Sequence, residues 1–207
     1  MARSVPALLI IALLPLGGCI PQTVIHSAGT MTDSRDGDSY RTVLVNDQEW
    51  MAENLRFKAD SSWCFNNDEN LCEIMGRYYE WETALKVCPD GWRLPGKSDV
   101  KKLYDALGGS RGAGLKMKSV SGWRNNSNGR DEFGLNLQPS GYRHYDGSFA
   151  GDSCGAYLWT SDEKYDRESL TWGASCVDNN GDIHHDYKEQ GYSVRCMRDW
   201  PLSERTN

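Results

Sequence analysis

The hydrophobic pattern changes twice along the chain. Val5 to Leu16 is one apolar run, and after Cys19 the residues from Ile20 to Ala28 are mixed and aperiodic. Tyr40-Arg41-Thr42-Val43-Leu44-Val45 is rich in strand formers. It predicts a strand, with Asn46-Asp47 as the turn and Gln48 to Leu55 as the return of a small antiparallel meander. Residues from Tyr78 to Val87 predict a helix, ended by Cys88-Pro89-Asp90-Gly91, because proline cannot continue a helix. Val100, Leu103, Tyr104 and Leu107 fall at i, i+3, i+4 and i+7. They predict a second helix that opens at Gly96-Lys97-Ser98-Asp99, closes at Gly108-Gly109 and buries one stripe in the core. Beyond residue 110, Gly, Asn, Asp and Ser recur between aromatic runs such as Tyr157-Leu158-Trp159-Thr160, which predicts short strands and long loops. Two helices in a strand-and-loop chain predict the α+β class.

The first apolar run is an address. A lone Arg3 precedes it, and the run is too short, and too interrupted by Pro6 and Pro15, to cross a bilayer as a helix. Leu16-Gly17-Gly18-Cys19 resembles the bacterial lipobox. That resemblance implies a signal peptide over 1–18, a lipidated Cys19 with a tether over 19–28, and a membrane as partner through the lipid anchor. Ile20, where an Asp would retain a lipoprotein at the inner membrane, implies the outer membrane instead. The folded domain is then 29–200, followed by a polar tail at 201–207.

Charge and cysteine usage narrow the chemistry. The 207-residue chain carries a formal net charge of -6 and no Lys/Arg block, so nucleic acid is excluded as a partner. Eight Trp and ten Tyr supply a large aromatic core, and any ring left exposed could stack on a sugar face. With Cys19 set aside, Cys64, Cys72, Cys88, Cys154, Cys176 and Cys196 remain, an even set that predicts three disulfides in an oxidising compartment. Cys64 and Cys72 could close a local loop, but spacing alone leaves all fifteen pairings open. No Cys-x-x-Cys is present, which argues against a zinc knuckle or a thioredoxin-like motif.

Asp178, Asn180 and Asp182 place oxygen atoms at alternate positions, as a calcium loop would, without the downstream Glu of an EF-hand. Asn126 to Asp131 is a similar segment, and both also fit ordinary turns. His184-His185 on a strand would point to opposite faces, each with an aspartate (Asp182 and Asp186) for company. No Ser/His/Asp order, phosphate-binding glycine loop or catalytic carboxylate pair stands out.

Five blocks in order carry a family resemblance: Met31 to Gly37, Trp50 to Leu55, Gly76 to Trp81, Cys88 to Pro95 and Tyr192 to Asp199. They resemble the Fibrobacter succinogenes major paralogous domain, across about residues 29–200. Gly91-Trp92-Arg93-Leu94-Pro95, Leu158 to Asp162 and Val194-Arg195-Cys196 are more distantly similar to formylglycine-generating-enzyme domains. This similarity implies a C-type-lectin-like fold, with two helices, a small twisted antiparallel sheet and long loops. It implies the bridge Cys88–Cys196, leaving Cys64–Cys72 and Cys154–Cys176. The related enzymes use free cysteines and copper, whereas here each domain cysteine can be given a disulfide partner. Gln138-Pro139-Ser140 lacks the lectin calcium ligand. The expectation is a non-catalytic envelope lipoprotein for binding or adhesion, to polysaccharide or an envelope protein through residues 110–190; the alternatives are a passive structural component and, behind it, an oxidase-like enzyme related to the formylglycine-generating enzymes.

Overall fold

Asn46 takes a left-handed φ of 56°, and a two-residue turn with this geometry matches the twist of a hairpin. It joins β2 (Ser39–Val45) to β3 (Gln48–Met51), in register from Val45 against Gln48 to Thr42 against Met51. β1 (Ile25–Thr32) adds on one side of this pair and β12 (Met197–Asp199) on the other. The sequence therefore folds its C-terminal block onto its N-terminal meander. The computed structural model describes residues 25–200; the leader 1–18, Cys19 and the tail 201–207 lie outside the described residues. β1 begins inside the segment that the sequence reads as tether.

The second sheet has eight strands. Its main order is β10 (Asp182–Tyr187), β9 (Glu168–Ser175), β8 (Gly155–Tyr165), β11 (Tyr192–Ser193), β5 (Tyr78–Tyr79), β4 (Ser62–Trp63). β6 (Ser140–Arg143) joins β8, and β7 (Phe149–Asp152) pairs with β6. Four α-helices, α1 (Glu69–Met75), α2 (Trp81–Ala84), α3 (Lys97–Ala106) and α4 (Ala113–Met117), and two 3-10 turns, Phe65–Asn67 and Arg124–Asn126, lie among the described residues.

The predicted α+β, C-type-lectin-like fold is not what forms. The described residues are mostly β, with twelve strands in two curled sheets and only short helices besides α3. The helix expected from Tyr78 to Val87 is β5 followed by the single turn of α2. Tyr78 and Tyr79 are instead held by pairing with Ser193 and Tyr192, more than a hundred residues away. The short strand expected at Tyr157 to Thr160 lies within the eleven-residue β8, whose register against β9 shifts between Trp159 and Glu163 and hides its full length.

The α3 stripe behaves as its spacing predicts. Val100, Leu103, Tyr104 and Leu107 are all buried with Val43, Trp50 and Trp172. A second cluster gathers Tyr40, Met51, Leu55, Trp81, Trp159 and Tyr192. The strand pair β2–β3 feeds both, because successive side chains leave opposite faces. Cys88–Cys196, Cys64–Cys72 and Cys154–Cys176 are bonded, the pairs that the resemblance implies.

Gly173 permits the close approach of β9 to β8. A Cβ there would lie 1.8 Å from the Ala156 carbonyl oxygen, on a backbone with φ of +157°. Because the obstacle is backbone, Gly173→Ala must separate the strands. An expected loss of about 2–3 kcal/mol would show as a lower urea midpoint at unchanged slope.

Candidate binding surface

The far end of the large sheet presents tyrosine rings to solvent. Tyr165 ends β8, Glu168 opens β9 and Tyr187 ends β10. The registers Tyr165–Glu168 and Tyr187–Glu168 set these residues in one row across three strands. Tyr165 is 59% exposed and Tyr187 45%. Tyr145, 62% exposed, stands on the turn between β6 and β7. Arg143 and Gly191 exchange backbone hydrogen bonds of 2.9 and 2.8 Å, which seat that turn beside the one following β10.

Tyr145 and Tyr187 line a groove of about 530 Å³ together with Arg167 and Glu189. The Arg167 guanidinium lies 5.8 Å from the Tyr187 ring centroid and 3.2 Å from Glu189 Oε1. The Glu189 carboxyl is held below its ordinary value by its own backbone N–H and by that guanidinium. Behind the groove, Asp186 accepts from Tyr192 Oη (2.5 Å), the Tyr187 N–H (2.8 Å) and Gln190 Nε2 (3.2 Å). Three donors on one carboxylate fix the turn that carries Glu189. Burial, reinforced by Asp186, pushes the Tyr192 phenol far up, so it remains a donor. His185 Nδ1 pairs with Glu168 Oε2 at 2.6 Å, and its ring meets Tyr165 edge-on at 5.9 Å. Exposed ring faces on rigid strands, flanked by one cation and one anion, can stack on an apolar face of a ligand and hydrogen-bond its rim.

A second groove, of about 390 Å³, lies against β8 to β10 and includes Tyr157, Thr171, Asp178, Asp182 and His184. Burial raises the Tyr157 phenol, with Tyr142 and Asp182 adding to it. His184 Nε2 is 3.9 Å from Asp182 Oδ2, while His185 pairs with Glu168 instead of Asp186. The two imidazoles therefore have separate partners.

The three calcium candidates do not act as one set. Asp178 Oδ1 and Oδ2 accept from the backbone and side-chain nitrogens of Asn180, both at 2.9 Å, while Asp182 stands on β10 beside His184. Among the described residues, the His, Cys, Asp and Glu trio whose ligand atoms converge is Cys64, Glu69 and Cys72. Its two sulfurs are bonded to each other, which removes them as thiolate ligands. Ser140, in the Gln-Pro-Ser segment, is buried and bonded to Ser193.

Sequence reasoning placed binding within residues 110–190 without naming Tyr145, Tyr165 or Tyr187. A usable signal was present: Tyr145-Asp146-Gly147 and Tyr165-Asp166-Arg167 put a large ring directly against turn residues.

Three disulfides suit an oxidising, extracytoplasmic location. No helix among the described residues is long and apolar enough to cross a membrane. The chain belongs to the Fibrobacter succinogenes major domain family, whose profile matches residues 43–198. No curated protein and no solved structure matched the chain.

Proposed function

We propose that this protein is a non-catalytic lipoprotein of the cell envelope, anchored through Cys19, that binds a polysaccharide along the Tyr145–Tyr187 groove. The observation that carries the reading is the gathering of exposed Tyr145, Tyr165 and Tyr187 at one end of a rigid sheet. Other large rings are buried, as Trp50, Trp159 and Trp172 are, or half-buried, as Trp63 and Trp92 are, so among the described residues the exposed rings gather at this end. One Arg and one Glu, already paired, leave the groove without net charge, which favours a neutral sugar chain over a charged one. Six cysteines committed to disulfides support binding over the thiol-and-copper chemistry of the distantly similar enzymes. The lipobox-like Leu16-Gly17-Gly18-Cys19 supports the anchor, and Ile20 the outer membrane.

Pull-down on insoluble polysaccharides, with a glycan array, tests the reading. Tyr145→Ala and Tyr187→Ala are each expected to weaken retention about fivefold to tenfold, on the order of 1–1.4 kcal/mol, with melting unchanged because both rings are exposed. Wild-type protein that no polysaccharide retains, or a double variant that binds as well as wild type, overturns it. Mass spectrometry of the native protein tests the anchor: an unacylated Cys19 sinks that part.

A further inference from the structure

Lys118 follows α4 and its side chain is wholly buried. Its ammonium has three N–H donors and meets three oxygens: the Asp178 carbonyl at 3.0 Å, the Ser175 carbonyl at 3.2 Å and Ser127 Oγ at 3.4 Å. The Trp123 ring centroid lies 5.0 Å away. Burial pulls this amine below its ordinary value, and the Asp178 carboxylate opposes that from longer range. Two of the oxygens come from the segments around residues 126–131 and 178–182, whose composition suggests cation loops.

The rest of the neighbourhood is built around the same point. Ser127 Oγ donates onward to the Cys176 carbonyl at 2.9 Å, and Leu115 N donates to the Asn179 carbonyl at 3.1 Å. Gly114 lets α4 meet the second loop: a Cβ there would sit 2.1 Å from the Asn180 carbonyl oxygen. Carbonyl and hydroxyl oxygens turned inward onto one positive charge are the arrangement that a loop-bound ion requires.

We propose that the Lys118 ammonium is a built-in cation, filling a site between the two loops that would otherwise need a bound ion. The loops close on a charge that the chain itself supplies. The site accordingly recognises a primary ammonium: an N–H donor to each of three oxygens, with an aromatic face alongside. Removing the side chain beyond Cβ leaves a vacancy shaped for n-propylammonium.

Thermal melting of the full chain tests this. Lys118→Met keeps most of the stem and loses the donors, and is expected to melt about 6–12 °C lower, because three part-buried acceptors lose their partner. Lys118→Ala is expected to regain at least half of its loss in n-propylammonium chloride, and nothing in tetramethylammonium chloride of equal ionic strength. If Lys118→Ala is recovered unfolded, dialysis into n-propylammonium is expected to restore its folded circular dichroism. Wild-type melting is expected to ignore calcium and chelator alike. The proposal is overturned by Lys118→Met melting within about 2 °C of wild type, by equal effects of the two ammonium salts on the Ala variant, by failed restoration after dialysis, or by stabilisation of wild type on adding calcium.

Discussion

Replacing Cys88 and Cys196 together by alanine is expected to cost about 4–5 kcal/mol, more than removal of either other bridge. The two residues are 108 positions apart, and on the chain-entropy account a loop of that size restricts the unfolded state by about that amount. Removing Cys64–Cys72, eight positions apart, is expected to cost about 2.5 kcal/mol on the same account. Packing adds to the difference. Cys196 is 0% exposed, sits in the cluster of Tyr40, Leu55 and Trp81, and immediately precedes β12, which closes the small sheet. Its carbonyl also accepts from the Met51 N–H at 3.0 Å, so the bridge holds the C-terminal strand where the N-terminal hairpin needs it. Denaturant unfolding of the two double variants measures the contrast, and equal losses would contradict it. Refolding under reducing conditions is expected to reproduce the larger loss, which fits a protein made for an oxidising compartment.

What the sequence revealed divides by range. The β2–β3 hairpin and α3 are local: Asn46-Asp47 fits its turn, and the 100, 103, 104, 107 stripe fits its helix, whatever lies elsewhere. β5 and β11 are two residues each, and such strands exist only through their partners, so Tyr78-Tyr79 reads as the start of a helix until Ser193 and Tyr192 are placed against it. The expected two-helix α+β fold failed at this point. β10 is less plain locally. As an edge strand it carries Asp182, His184, His185 and Asp186, polar residues that give no apolar face to mark it, although a strand is what places His184 and His185 on opposite faces. The candidate surface had the same fate. Turn residues beside Tyr145 and Tyr165 are a local hint, but none marks Tyr187 off from the buried Tyr40, Tyr78 and Tyr79; what decides exposure is where the sheet places each ring. The cysteines stood out more plainly, since an even set in an exported chain has few alternatives to pairing.

Arg195→Met is expected to cost about 3–5 kcal/mol although it replaces a buried charge with a flexible apolar side chain. Arg195 is 1% exposed and bonds no carboxylate. It donates to Asn54 Oδ1 at 2.8 Å, to the Asn136 carbonyl at 3.0 Å and to the Leu135 carbonyl. Burial pushes the guanidinium down to about 9, which still leaves it charged at neutral pH. Exchanging a buried ion for a hydrophobe can be harmless when both partners go, but here only the donor leaves. Two buried oxygens and a part-buried one lose their partner, at about 1–3 kcal/mol each when fully buried, against which the saved desolvation of one cation is a partial offset. The damage spreads through Asn54, whose Nδ2 holds the Met75 carbonyl at 2.8 Å and reaches Ser193 Oγ at 3.3 Å. Segments near residues 54, 75, 135 and 193 thus share one donor set, from two of the blocks that carry the family resemblance. Arg195→Lys is expected to fall between wild type and Met, since one ammonium cannot reproduce the spread of a guanidinium fork. Urea unfolding of the two variants checks the order, and a Met variant as stable as wild type would show the network to be dispensable.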